Sequence, residues 1–231
     1  MVLLAIPHRR YDAIRVEQEI NGRVLQIEIP PWSIDDLRLI PWLGFKALHA
    51  ELAEPIVTSL AAEAVGSPHL AQEFCQQMCR QLDLTQTLLI KRTYALEEID
   101  LHSVFRDVAR NASRTVFDGL AKGRSGRVRK LRYLADGTAV DTYDVVLRAV
   151  ANLRPNVGMI EYVEIARSLR ALLADGPPAL REVSRVLETM STISANDDAS
   201  CRPLDWEKDA RRLHISDPFF AFFLKWGIAD D

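Results

Sequence analysis

The stretch 178–218 decides the fold: Pro178-Ala-Leu180, with Val183, Val186-Leu187 and Met190 following, then Asn196-Asp-Asp198, Pro203-Leu-Asp-Trp206, Arg212-Leu-His-Ile215 and Asp217-Pro218. Its apolar residues recur three and four apart, which predicts a helix over 178–193. Arg212-Leu-His-Ile215 reads as a strand, and with the segment ending at Trp206 it makes a two-stranded hairpin. Two further helices are predicted upstream. One covers 141–153 with Tyr143, Val146-Leu147 and Val150 in register; the other covers 160–173 with Val163, Ile165-Ala166, Leu169 and Leu172-Leu173. Connections rich in Pro, Gly and Asn separate them.

Farther upstream, Val104-Phe105, Val108, Ala112, Val116-Phe117 and Leu120 predict one helix over 101–122, broken by Gly123-Arg-Ser-Gly126. The stretch 85–98 is ambiguous. Three short helices precede it. Ser33 caps the first, Asp35 and Asp36 favour its dipole, and Pro41 is expected to kink or end it. The second covers 53–65 and stops at Gly66. Ser67 caps the third, and Pro68 takes its first turn, where a missing N–H costs nothing. Leu70, Phe74, Met78 and Leu82 form its stripe.

At the front, Met1-Val-Leu-Leu-Ala-Ile6 is a continuous apolar run ending at Pro7-His8-Arg9-Arg10, which reads as a buried strand with a polar tip. Val24-Leu-Gln-Ile-Glu-Ile29 alternates as a second strand until Pro30-Pro31. A buried strand needs partners on both sides. The chain is therefore expected to be the back portion of a larger α/β protein, from a truncated gene or as a partner of a separate chain.

The net charge of −3 exerts no global pull toward nucleic acid, so such binding needs a local basic patch. Three cysteines make no disulfide framework, which fits a reducing cytoplasm. The opening apolar run is too short to span a membrane and lacks the flanks of a signal peptide. No membrane partner is expected.

Three helices followed by a hairpin is the order of a winged helix. Together with the polar-tipped strand, the Gly22-Arg23 strand, Pro30-Pro31-Trp32, the helical bundle with Gly66-Ser67-Pro68 and the ending Asp217-Pro-Phe-Phe220, the chain resembles the rear part of an AAA/STAND-type P-loop ATPase. The resemblance implies a mainly α chain with a small β part in three portions. Residues 1–31 would be a remnant of the ATPase α/β core, 32–84 a helical lid, and 85–231 a connector helix with a winged-helix domain. It implies that His8, Arg9 or Arg10 senses the γ-phosphate, that Arg23 is a second sensing residue, and that Gly66, Ser67 and Pro68 lie against adenine. The phosphate-binding loop G-x-x-x-x-G-K-S/T is absent from the sequence, and so is an apolar strand ending in Asp-Glu. Glu97-Glu98-Ile-Asp100 is acidic but follows no apolar strand. No catalytic residue is therefore expected in this chain alone. ATP, with Mg, enters only if a missing N-terminal half or a separate chain supplies the Walker motifs.

A second function class rests on Lys122-Gly-Arg-Ser-Gly-Arg-Val-Arg-Lys-Leu-Arg132, the densest basic stretch. Lys122, Arg124, Arg127, Arg129, Lys130 and Arg132 suit phosphate contacts, and a stand-alone winged-helix nucleic-acid-binding protein is the alternative reading. The bland reading of the same run is a solvated loop. The predicted last helix argues against a groove contact, because Glu182 and Glu188 accompany Arg181 and Arg185. A protein partner for the winged helix, or a pure interaction scaffold, remain open. Cys75 and Cys79 lie one turn apart with His69 nearby, but no second Cys/His pair sits at zinc spacing, so no metal is expected and the thiols read as small apolar side chains. Phe219 to Trp226 is expected to pack on the winged helix or on a missing N-terminal domain.

Overall fold

A computed structural model describes residues 27, 29–123, 131–197 and 202–228. In chain order these form α1 (Ile34–Ala47), β1 (Ala50–Leu52), α2 (Glu54–Glu63), α3 (Pro68–Gln81), β2 (Arg92–Tyr94), a single 3-10 turn (Leu96–Glu98), α4 (Leu101–Asn111), α5 (Arg114–Lys122), β3 (Leu131–Tyr133), β4 (Ala139–Asp141), α6 (Thr142–Asn152), β5 (Gly158–Glu161), α7 (Tyr162–Leu172), α8 (Leu180–Asp197), β6 (Leu204–Glu207), β7 (Arg212–Ile215) and α9 (Pro218–Trp226). The fold is mainly helical with short strands. No helix among the described residues is long and apolar enough to cross a membrane. The expected strand 1–6 lies outside the described residues. The expected strand 24–29 lies largely outside them, and its described residues Ile27 and Ile29 are exposed and belong to none of the described strands.

The chain divides into two compact units, one of Pro31–Arg114 with Pro218–Asp231, the other of Thr115–Asp217 with Met1–Pro30. In the first, helical unit, α1 packs on α2 and α3, and α3 packs on α4. Ser33 accepts from the Asp36 N–H at 3.1 Å to start α1. The helix does not end at Pro41 but runs through it to Ala47, and Pro41 itself is buried with Leu37 and Phe45. Burial of that face offsets the one backbone hydrogen bond proline removes. Leu37, Ile56, Leu60, Leu70, Phe74 and Met78 are fully buried and form the core. The ambiguous stretch supplies β2, which pairs parallel with β1 in the register Ala50↔Arg92 to Leu52↔Tyr94.

Helix α9 belongs to this helical unit, which corrects the expectation that it packs on the winged helix or on a missing N-terminal domain. It lies against α4. Phe222 meets Phe74 at 4.9 Å between ring centroids, and Trp226 meets Phe105 at 5.0 Å. With five consecutive buried residues, Phe220 to Leu224, it is apolar almost all round and needs neighbours on several sides.

The expected single helix over 101–122 is two helices. Ala112 caps α4 in an extended conformation, and Ser113 adopts φ +32°, so the helical path stops before α5. In the second, mixed unit, β3 and β4 form an antiparallel hairpin closed by Gly137 at φ +87°. The order α6, β5, α7, α8, β6, β7 follows, with an antiparallel sheet in the order β5-β7-β6. The sheet has a third strand where the sequence predicted only a hairpin: Gly158–Glu161 pairs with β7, so α7 starts at Tyr162 rather than at 160. Val145, Val146, Ile165, Leu169, Val183, Leu187, Leu213 and Ile215 close the core.

Candidate functional site

Two places in the described structure combine accessible chemistry with a defined backbone. The first is the start of α3. Gly66 adopts φ +75° and Val65 φ +52°. Glycine tolerates that region, whereas a β-branched valine there is strained, by about 1–3 kcal/mol. The Trp32 N–H donates to the Gly66 carbonyl at 3.1 Å, and the Ser67 N–H donates to the Ala64 carbonyl at 2.8 Å. Ser67 Oγ accepts from the Leu70 N–H at 3.3 Å, and Pro68 follows in the first turn. A Cβ on Gly66 would lie 2.6 Å from Pro31 Cβ. One side of the turn is therefore taken by the chain entering α1, while Gly66, Ser67 and Pro68 stay half-exposed. His69 follows, exposed, edge-on to Phe219 at 5.0 Å and 3.5 Å from Glu73.

The second place is the outer face of α8. Arg181, Arg185, Glu188 and Thr192 are spaced four, three and four apart, so they form one stripe along the helix. The flank beside this stripe is anchored. Ser184 accepts from Trp206 Nε1 at 3.0 Å, Ser191 donates to the buried Asp205 at 2.6 Å, and Ser194 accepts from the Leu204 N–H at 3.3 Å. These serines hold β6 against the helix and fix which face looks outward. Both acids of α8 that argued against an anionic partner are compensated within the unit. Arg132 Nη2 reaches the two carboxylate oxygens of Glu182 at 2.9 and 2.7 Å, with Thr142 Oγ1 also donating at 3.3 Å. Lys208, in the turn between β6 and β7, lies 2.8 Å from Glu188.

The residues singled out by sequence fall differently. His8, Arg9, Arg10 and Arg23 lie outside the described residues, as do Arg124, Arg127, Arg129 and Lys130. Lys122 is exposed at the end of α5, beside Asp118, Asp141 and Asp144. Arg132 is not an exposed phosphate contact: its side chain is only 12 % exposed and spent on Glu182. A residue that alternates along β3 must point inward if its neighbours Leu131 and Tyr133 point out, and those two are exposed. Of the acidic stretch, Glu98 accepts from the Ala95 N–H at 3.0 Å and pairs with Arg92 at 2.6 Å, while Asp100 caps α4. The Ala95 N–H first, and the Arg92 guanidinium after it, hold the Glu98 carboxyl below its ordinary value. These acids build local structure.

Cys75 and Cys79 are free thiols on α3. Burial, reinforced by the neighbouring Cys79, pushes the Cys75 thiol up to about 12. Burial also raises Cys79. Thiols so held resist ionisation and are poor nucleophiles and ligands. Among the described residues no group of three His, Cys, Asp or Glu side chains is placed to hold a metal ion. The strain at Val65 and the Lys208–Glu188 pair were not foreseen: no sequence pattern marks a left-handed valine, and the pair joins residues brought together only by the β6–β7 turn. No protein-family model matches the chain, and neither a curated protein nor a solved structure matches it.

Proposed function

We propose that this chain is the lid and effector portion of an AAA/STAND-type P-loop ATPase, responsive to nucleotide but not hydrolytic by itself. The observation that carries the reading is the start of α3. Gly66-Ser67-Pro68 opens a helix inside an α1–α3 bundle, and the turn keeps a strained Val65 beside it. Backbone strain of this kind persists where surrounding structure over-determines it, and it clusters at ligand clamps and switches. In the mixed unit, the order helix, strand, two helices and hairpin, with its β5-β7-β6 sheet, supports a winged helix as the effector. Adenine would lie on the half-exposed Gly66-Ser67-Pro68 turn. The phosphates and Mg would be held by Walker motifs from an N-terminal half or a separate chain. Binding would favour one lid arrangement by its differential contacts with the two states. Free thiols at Cys75 and Cys79 suit a reducing, cytoplasmic compartment.

The test is an NMR titration of the chain with ADP, alongside an ATPase assay. Weak binding is expected, with amide shifts confined to residues around 65–70 and no turnover. Micromolar affinity, turnover by this chain alone, or shifts centred elsewhere would reject the reading.

A further inference from the structure

We propose that the outer face of α1 is a self-association surface, on which a second copy of this chain docks antiparallel about a two-fold axis. Leu37, Pro41 and Phe45 turn one side of α1 into the core. With about 3.6 residues per turn, Leu39 and Leu43 lie on the side directly away from them. Both are about half exposed, and so is Trp42 beside them. Asp35, Leu39, Trp42 and Lys46 follow at spacings of four, three and four, so they run as one stripe along the helix. The Lys46 ammonium stands 4.9 Å from the centre of the Trp42 ring. The outer side of a surface helix ordinarily carries polar residues. A cluster of large apolar side chains there, with charges at both ends, marks a protein-binding surface.

The order of charges selects the occupant. The stripe runs acid, apolar, apolar, base, and is its own complement when reversed. Two copies of α1 laid antiparallel about an axis passing between Ile40 and Pro41 bring Asp35 of each level with Lys46 of the other. The same arrangement brings Leu39 level with Trp42. This is the self-complementary contact that a two-fold dimer requires. The middle removes the leucines and indoles from water, and each end gains an ion pair. A parallel arrangement fails, because it sets Asp35 against Asp35 and Lys46 against Lys46. Asp35 is open to a second cation: its side chain is 91 % exposed, although Arg38 lies 3.7 Å away on the next turn.

The size of the surface sets its strength. At 14 residues α1 is short, and a single helix pair of that length buries less than the roughly 1,200 Å² that separates stable from transient interfaces. The dimer is therefore weak and concentration dependent. Exposed ion pairs add little affinity, but like charges set against each other are penalised, so the ends fix direction and register while the apolar middle supplies the attraction. The pairing uses no residue of the Gly66-Ser67-Pro68 turn and needs no nucleotide.

The experiment is sedimentation equilibrium of the full chain from micromolar to millimolar concentration, with circular dichroism to check that each variant is folded. The wild type is expected to pass from monomer to dimer and no further. Leu39→Glu with Leu43→Glu should weaken the dimer by about tenfold or more. Asp35→Lys and Lys46→Glu should each weaken it by about fivefold, because each sets like charges level at both ends. An equal mixture of those two single variants should recover the wild-type affinity, since the mixed dimer again pairs opposite charges at both ends. Only the antiparallel register gives that recovery. A chain that stays monomeric to millimolar concentration overturns the proposal. So does an assembly larger than a dimer, or a dimer indifferent to the two leucines. A mixture that associates no better than its components overturns it as well. A monomer whose melting temperature falls in the leucine variant would place another segment of the same chain on the stripe, and that also overturns it.

Discussion

The indole Nε1 of Trp226 donates to Glu63 Oε2 at 2.9 Å, joining residues 163 positions apart. Lys225 Nζ lies 3.7 Å from the same carboxylate. This contact, with the Phe105, Phe222 and Phe74 rings, makes α9 the closing element of the helical unit. The segment Thr115–Asp217 is thereby inserted in sequence between the parts of the helical unit that carry α4 and α9.

Phe222→Ala should therefore destabilise the helical unit rather than the mixed one. Phe222 is fully buried, and truncating such a ring costs about 3–5 kcal/mol. Hydrogen exchange should quicken in α3 and α4 and stay unchanged in α6 and α8. Equal effects in both sets would contradict this assignment of α9.

Substitutions at the α3 turn should rank by backbone conformation. Gly66→Ala places a Cβ in the left-handed region, at about 1–2 kcal/mol, and drives it into Pro31. Ser67→Ala removes a single cap, at about 1 kcal/mol. Urea unfolding should find the glycine variant the weaker of the two; the opposite order would show that the cap, not the backbone turn, governs this site.

The raised Cys75 thiol makes stability depend on alkaline pH. In the unfolded chain the thiol loses its proton near its ordinary value of 9.0, while the folded chain keeps it to about 12. The unfolded state then binds fewer protons, so the contribution is fully present below pH 9 and is lost as pH rises toward 12. Thermal melts from pH 8 to pH 11 should show a decline that is shallower in Cys75→Ala. Rapid alkylation of Cys75 in the native chain at pH 8 would argue against the buried thiol.

Glu98 acts at the other end of the scale. Its carboxyl is lowered by the Ala95 N–H and by Arg92, so its contribution is present above the unfolded value and disappears as pH falls through the folded one. An NMR titration should place Glu98 below the ordinary glutamate value, and Arg92→Gln should move it part of the way back. No movement would assign the whole effect to the backbone N–H.

Much of the helical architecture was legible in sequence. The Ser33 and Ser67 caps, the Gly66 stop and the apolar stripes of α3, α6, α7 and α8 depend on residues within a turn or two of each other, where capping and periodicity act. The three-residue strands β1 and β2 were not legible, because such short strands carry no period and their partners are some forty residues away. The break at Ser113 was hidden by an apolar stripe that continues across it.

The candidate surfaces show the same division. Sequence alone placed Gly66-Ser67-Pro68 at a helix start and put arginines and glutamates together on one helix. Which charges remain available was decided only by tertiary structure. Arg132 lies 50 residues from Glu182, and Lys208 lies 20 residues from Glu188. Local order follows from steric and hydrogen-bonding preferences of neighbouring residues. The net charge of a face depends on which distant side chains the fold brings within ion-pair distance.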